Sequence, residues 1–216
     1  MIPLHDENPT RTFPLFTIGL VAANILVFFW ELSLAQQGTE FITEYGLVPY
    51  QLTHQPLQNY PNVFSSMFMH AGWGHLLGNM LYLWIFGNNI EDQLGKLRFI
   101  LFYLTCGALA AGSHVAADLN SQIPMVGASG AISGVLGAYL MLFPFARVKT
   151  LVFLGFFITI VRIPAIFLLL VWVGLQVLNN MATGPDSGGV AWLAHIGGFI
   201  VGAVLIHPFR LSARTG

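Results

Sequence analysis

Charge is what this chain has least of. Only 8% of its 216 residues are charged, beside a hydrophobic share of 56%, whereas an average soluble domain carries about 25% charged residues. So little charge cannot cover a folded surface in water, which excludes an ordinary soluble globular protein. The net charge of −1 excludes the basic footprint that nucleic-acid binding needs. Cysteine occurs once, at Cys106, which excludes an intramolecular disulfide. No CxxC or Cys/His cluster has zinc spacing. Cys106 sits in an apolar stretch and reads as a buried thiol that fills space.

What is present is apolar sequence in long runs. Six stand out, at residues 13–34, 74–90, 97–117, 129–145, 163–181 and 191–207. Each approaches the roughly 20 residues that a bilayer core demands, and none alternates as barrel strands do. The expected fold is an all-α membrane protein, a bundle of six transmembrane helices over residues 13–207. A short segment, 1–12, precedes it and a tail, 208–216, follows. The "LSLA" at the end of the first run resembles a signal cleavage site, but that run is longer than a typical signal core and is read as a retained helix.

The basic residues fix an orientation. Arg11 precedes the first run; Lys96 and Arg98 separate the second and third; Arg147, Lys149 and Arg162 separate the fourth and fifth; Arg210 and Arg214 follow the sixth. All eight fall on one side of such a bundle, which the positive-inside rule makes cytoplasmic, both termini included. Residues 151–161 are too short for a seventh span and lie between Lys149 and Arg162, so they read as an interfacial hairpin before Pro164 opens the fifth helix. Two outer loops are unusual. Residues 35–73 carry amphipathic pieces suited to the membrane interface, and 113–128 end in the apolar "IPMVGA", which is expected to dip inward to meet the fourth helix. Irregular backbone at that depth requires a protein-lined or water-filled cavity.

The second, fourth and sixth helices run in the same direction, and each carries a polar residue near its outer end. These are His75 and Asn79 in "HAGWGHLLGNM" (70–80), Ser129 in "VGASGAISG" (126–134) and His195 in "AHIGGFIVG" (194–202). Polar groups inside a span are costly and point to function. Taken alone, Ser129 reads as a small residue in a helix-packing seam with Gly130 and Gly134. Gly198 and Gly202 lie on one stripe with His195, three and seven residues on. If the two seams meet, packing brings His195 to Ser129. The pair is then a Ser–His dyad, with Ser129 as nucleophile and His195 as general base. No carboxylate is expected beside His195. His75 and Asn79, on one helix face, become donors to a developing oxyanion together with the Ser129 backbone N–H. His70 lies further out and reads as structural. Glu91 lies about 24 Å along the helix from His75 at 1.5 Å per residue. It reads as a structural contact at the cytoplasmic helix end, near Lys96 or Arg98. Asp118 and Asp186 read as solvated.

In order and spacing, "HAGWGHLLGNM", "GASG" at 127–130, "AHIGGFIVG" and the Glu91–Leu94–Gly95 trio resemble the rhomboid intramembrane serine proteases. The resemblance implies a six-helix rhomboid-like bundle with Ser129 as nucleophile, His195 as its base, and His75, Asn79 and the Ser129 amide around the oxyanion. It makes residues 165–181 the counterpart of the family's substrate gate. The loop "TGPDSGG" (183–189), with Gly184, Gly188 and Gly189, becomes the counterpart of its cap. The chain departs from some relatives one turn after the nucleophile, where an aromatic residue is replaced by Ser133.

The function expected is an intramembrane serine endopeptidase that cleaves transmembrane segments of other proteins through an acyl-enzyme, with no metal and no organic cofactor. Its expected place is a bacterial or archaeal inner or plasma membrane, with the active site toward the outer face. The alternative is a non-catalytic rhomboid-like adaptor or chaperone that binds membrane helices. A transporter is disfavoured by the lack of an internal repeat.

Overall fold

The computed structural model describes residues 1–34, 39–155, 157–182 and 191–214. Strand β1 (Ile2–Asp6) leads into α1 (Leu15–Ser33). The long loop after α1 folds into short helices, α2 (Thr39–Tyr45), α3 (Pro49–His54), α4 (Pro56–Asn59) and α5 (Asn62–Ser65), closed by a 3-10 turn, Ser66–Phe68. The second apolar run begins with α6 (Trp73–Tyr82), passes through a π turn (Leu83–Gly87) and continues as α7 (Asn88–Leu94). Its junction residues keep helical dihedrals, so the three pieces form one rod. Gly95, with φ +76°, makes the left-handed turn into α8 (Lys96–Ala117) that a residue with a Cβ resists. Then come α9 (Ser129–Leu142), strands β2 (Arg147–Leu154) and β3 (Phe157–Pro164), α10 (Ala165–Ala182) and α11 (Trp192–Arg214).

The chain is mostly helical rather than all-α. Strands β2 and β3 pair antiparallel as a hairpin, and β1 pairs antiparallel with β2, giving a three-stranded sheet in the order β1-β2-β3. The hairpin is rich in the β-branched and aromatic residues that strands favour. The amino-terminal "IPLHD" is too short and too mixed to signal a strand until β2 offers it an edge.

Among the described residues, four helical stretches are long and apolar enough to cross a membrane: Leu15–Ser33, Lys96–Ala117, Ala165–Ala182 and Trp192–Arg210. Their outward faces leave large apolar side chains exposed, among them Leu26, Phe167, Leu178 and Val204. Such faces would aggregate in water and suit acyl chains. By contrast, every residue of α9 from Gly130 to Tyr139 is buried. At 14 residues α9 is the short central post around which α8 and α11 pack.

Glycine is what lets them pack so closely. A Cβ at Gly198 would land on the Gly130 carbonyl oxygen, one at Gly202 on the Gly134 carbonyl, and one at Gly137 on the Phe199 carbonyl. On the other side of α9, a Cβ at Gly134 would strike Cys106 of α8, whose thiol is fully buried. Helices in lipid gain little from hydrophobic burial against one another and associate through such close contacts.

The end of the bundle opposite Ser129 is pinned by carboxylates. Glu91, 1% exposed, accepts from the backbone N–H of Phe16 (3.0 Å) and Thr17 (2.7 Å) and from the Thr17 hydroxyl (2.8 Å). Asp92 does the same for Arg11 and Thr12. Helix α1 has no side-chain cap of its own, so Glu91 caps it from another helix, and a negative charge suits the positive end of the helix dipole. The Glu91 contact expected near Lys96 or Arg98 is thus made with the start of α1. The sequence pattern concealed it because the partners are 74 and 75 positions away. Asp6 is buried as well. Its carboxylate accepts from the Tyr139 hydroxyl and the Asn89 amide, each at 2.8 Å, and ties β1 to α9 and α7.

Candidate active site

Two loops meet just ahead of Ser129. Leu47 and Met125 exchange backbone hydrogen bonds of 3.0 and 2.8 Å, and Gly127 N–H donates to the Ser66 carbonyl at 2.8 Å. Gly127 has φ +129°, and a Cβ there would stand 2.7 Å from the His75 ring, so both conformation and space call for glycine. Ala128 then turns the chain into α9 with Ser129 as its first helical residue. Its N–H belongs to the helix's opening turn and has no intrahelical acceptor.

Helix α11 delivers His195 to the same place. Its Nε2 lies 2.7 Å from the Ser129 hydroxyl oxygen, close enough for the hydroxyl to donate to it. The glycine seam sets this distance, since Gly198 sits three residues after His195 against the carbonyl of Gly130, next to Ser129. His195 is 8% exposed. On its far side, Nδ1 lies 2.8 Å from the side-chain Oε1 of Gln176, and the Gln176 side-chain Nε2–H donates to the Trp172 backbone carbonyl at 3.1 Å. The Trp172 and Trp192 rings stand 5.9 and 6.1 Å from the imidazole.

The second rod supplies the opposite wall. Ala71 N–H donates to His75 Nδ1 at 3.4 Å, which leaves Nε2 of a neutral ring as its donor atom, on the side facing Gly127. Asn79 is 7% exposed, and its Nδ2 has no partner among the described residues, a buried donor still to be satisfied. Both residues line, with Ser129 and His195, a cavity of about 970 Å³ that lies between the loops and α10. Ser129 is partly exposed to it.

His70 stays outside the dyad. It is 4% exposed, packs edge-on against His75 at 5.1 Å, and burial, then the neighbouring His75, pushes its imidazole down to about 4. Glu31, in the last turn of α1, is a carboxylate that the sequence reading passed over. It accepts the His70 backbone N–H at 3.2 Å and so fixes the turn ahead of α6. Ser133 donates its hydroxyl to the Ser129 carbonyl at 2.6 Å and does not stack on His195; Trp172 and Trp192 flank the ring. Asp118 is exposed at the end of α8, while the loop 183–189 with Asp186 lies outside the described residues. Gln176, Trp172 and Trp192 were missed from sequence. For Gln176 the available signal was its polarity within an otherwise apolar stretch of α10, the same signal that singled out His195.

The profile of the Rhomboid domain matches residues 58–211, which takes in Ser129, His195, His75 and Asn79. The "Rhomboid protease GluP" of Bacillus subtilis is 32% identical over 196 residues, covering 90% of this chain and 36% of that protein. The mitochondrial "Rhomboid protein 1" of Saccharomyces cerevisiae is 32% identical over 142 residues, 62% of this chain and 38% of its own length. "Rhomboid-related protein 2" of the mouse is 27% identical over 192 residues, 88% of this chain and 62% of its own. The chain spans little more than a third of the length of the first two. A domain match over residues 58–211, with a relative 32% identical across 90% of the chain, makes this integral membrane protein a member of the rhomboid family.

Proposed function

We propose that this chain is an intramembrane serine endopeptidase that cuts transmembrane segments of other membrane proteins near their outer ends. In this reading the six apolar runs all span the bilayer, both termini are cytoplasmic, and the cavity over Ser129 opens toward the outer face. The observation that carries it is the 2.7 Å approach of the Ser129 hydroxyl to His195 Nε2 at the floor of a cavity large enough for an extended peptide.

The chemistry follows from the positions. As Ser129 Oγ attacks the scissile carbonyl, its proton passes to His195 Nε2, and the carbonyl oxygen becomes an oxyanion. The Ser129 N–H, His75 Nε2–H and Asn79 Nδ2–H, from residues that line the same cavity, are the donors assigned to that charge. One such donor is typically worth about 10²–10³ in rate. The imidazolium returns the proton to the leaving amine, giving an acyl-enzyme. Water entering through the cavity then gives its proton to His195 as its oxygen attacks the ester, and the imidazolium passes that proton to Ser129 Oγ as the carboxylic acid product leaves. An extended stretch must reach Ser129, so substrates are expected to unwind easily there, with small or helix-breaking residues at the cut.

A cleavage assay in proteoliposomes, comparing wild type with Ser129→Ala and His195→Ala on a membrane-anchored reporter, tests the reading. Cleavage by the wild type alone supports it. Equal cleavage by all three refutes the dyad. Binding without cleavage by the wild type favours the adaptor, against which the retained serine, histidine and oxyanion donors argue.

A further inference from the structure

We infer that Gln176 is the positioning residue of this site: its carboxamide holds His195 in the one tautomer that can take the serine proton. The inference rests on the dyad reading above and adds a third member to it, drawn from a third helix.

Three atoms decide the matter. The Trp172 carbonyl can only accept, so the Gln176 amide nitrogen, 3.1 Å away, must be the group that faces it. A flipped amide would set two oxygens against each other there, and would turn an N–H toward His195. The oxygen of Gln176 is therefore the atom 2.8 Å from His195 Nδ1. An amide oxygen cannot donate, so in the neutral ring Nδ1 carries the hydrogen and Nε2 keeps its lone pair. That lone pair is the atom 2.7 Å from Ser129 Oγ. In the other tautomer Nε2–H would point at the hydroxyl oxygen, and no base would face the serine proton. The same two bonds set the plane of the ring, between Trp172 and Trp192.

The device is a neutral one. A carboxylate in this place would bring a charge into a membrane helix, at a cost that an amide avoids. Gln176 is 7% exposed and locked by its bond to Trp172 O one turn back in its own helix. The orienting group therefore depends on α10 lying against α11. Serine, histidine and glutamine come from α9, α11 and α10, and the base is correctly poised only when all three are docked.

Two measurements test this. The first needs no substrate: ¹⁵N spectra of histidine-labelled protein in micelles, with His195 assigned by comparison with a His195→Gln sample. The Nδ1–H tautomer is expected, and an Nε2–H tautomer at neutral pH overturns the inference. The second is the rate at which a fluorophosphonate modifies Ser129. Gln176→Met keeps length and bulk but offers no acceptor, and Gln176→Glu, uncharged in this apolar place, keeps the acceptor for His195 and a hydroxyl to donate to the Trp172 carbonyl. Gln176→Met is expected to lower the maximal rate at least roughly 10²-fold, where a wrong histidine tautomer in a serine protease costs about 10⁴, with half-saturation unchanged. Gln176→Glu is expected to stay within about 10-fold of wild type, as an acceptor-only requirement demands. A Gln176→Met protein that reacts at the wild-type rate, or a Gln176→Glu protein as slow as Gln176→Met, overturns it. Wild-type protein that never reacts at Ser129 would instead strike the protease reading, and the tautomer spectrum would still judge Gln176 by itself.

Discussion

Replacing Gly198 with alanine adds one methyl group where the backbones of two helices touch. Its Cβ would land on the Gly130 carbonyl oxygen and lie 3.2 Å from both the Gly130 carbonyl carbon and the Ser133 Cβ. Non-bonded carbons settle at about 3.5–4.0 Å. A helix backbone cannot turn aside as a side chain can, so α11 must retreat from α9 by roughly 1 Å to restore ordinary contact. His195 rides on the same turn as Gly198, and its 2.7 Å contact with Ser129 then opens beyond hydrogen-bonding length. Overpacking of this kind costs about 1–3 kcal/mol, or roughly 3–10 °C in unfolding midpoint for a domain of this size. A displacement of about 1 Å at reacting atoms costs on the order of 10²-fold in rate. The assay pairs thermal unfolding in detergent with the rate of Ser129 modification by a fluorophosphonate. Gly112→Ala and Gly174→Ala serve as controls, because a Cβ at either meets nothing within 4 Å. Each should leave the rate alone and raise stability by up to about 1 kcal/mol. Gly198→Ala matching these controls in both measurements would refute the claim that the seam sets the catalytic distance.

The remaining expectations concern the rest of the scaffold. Glu91→Ala leaves two backbone N–H groups and a hydroxyl at the start of α1 without their acceptor and should cost about 2–4 kcal/mol. This is readable as a lower unfolding midpoint, with Glu91→Gln losing less because it keeps one acceptor. Asp6→Ala removes the acceptor shared by the buried Tyr139 hydroxyl and the Asn89 amide, of which Asn89 keeps its bond to Asn88. It should cost about 2–4 kcal/mol and expose the amino-terminal strand to limited proteolysis, and unaltered proteolysis would contradict this. His70 binds its proton less readily folded, at about 4, than the unfolded chain does at 6.5. The unfolded state therefore holds more protons between those values, and stability falls as pH drops through them, by at most about 1.4 kcal/mol per unit. His70→Phe removes that contribution, so its stability margin over wild type should widen on acidification from pH 6.5 to 5, and a constant margin would contradict the account.

The parts of this fold written in local pattern were legible in the sequence. Six long apolar runs announce helices, and glycines spaced on one face beside a serine or a histidine announce a close seam. Polar groups at similar depth on helices of the same direction are noticeable because the apolar background is so uniform. Long-range partnerships were not legible. Strand β1 is five residues with no alternation of its own and exists only because β2 lends it an edge. Glu91 carries no mark that its partners lie at the start of the chain. Gln176 is invisible as an orienter until the docking of α10 against α11 sets its amide beside the imidazole. Ser133 shows the converse: the absence of an aromatic residue at that position was plain, but which tryptophans flank His195 instead was decided by tertiary packing.

The central claim is that Ser129 is a nucleophile because His195 stands ready to take its proton. It is tested most directly by treating wild-type, His195→Ala and Ser129→Ala proteins with a fluorophosphonate and locating the adduct by peptide mass. The account predicts one adduct, on Ser129, in the wild type and none above background in either variant. An adduct on Ser129 that forms equally fast without His195, or a wild-type Ser129 that stays unmodified in a folded, membrane-reconstituted sample, would contradict it.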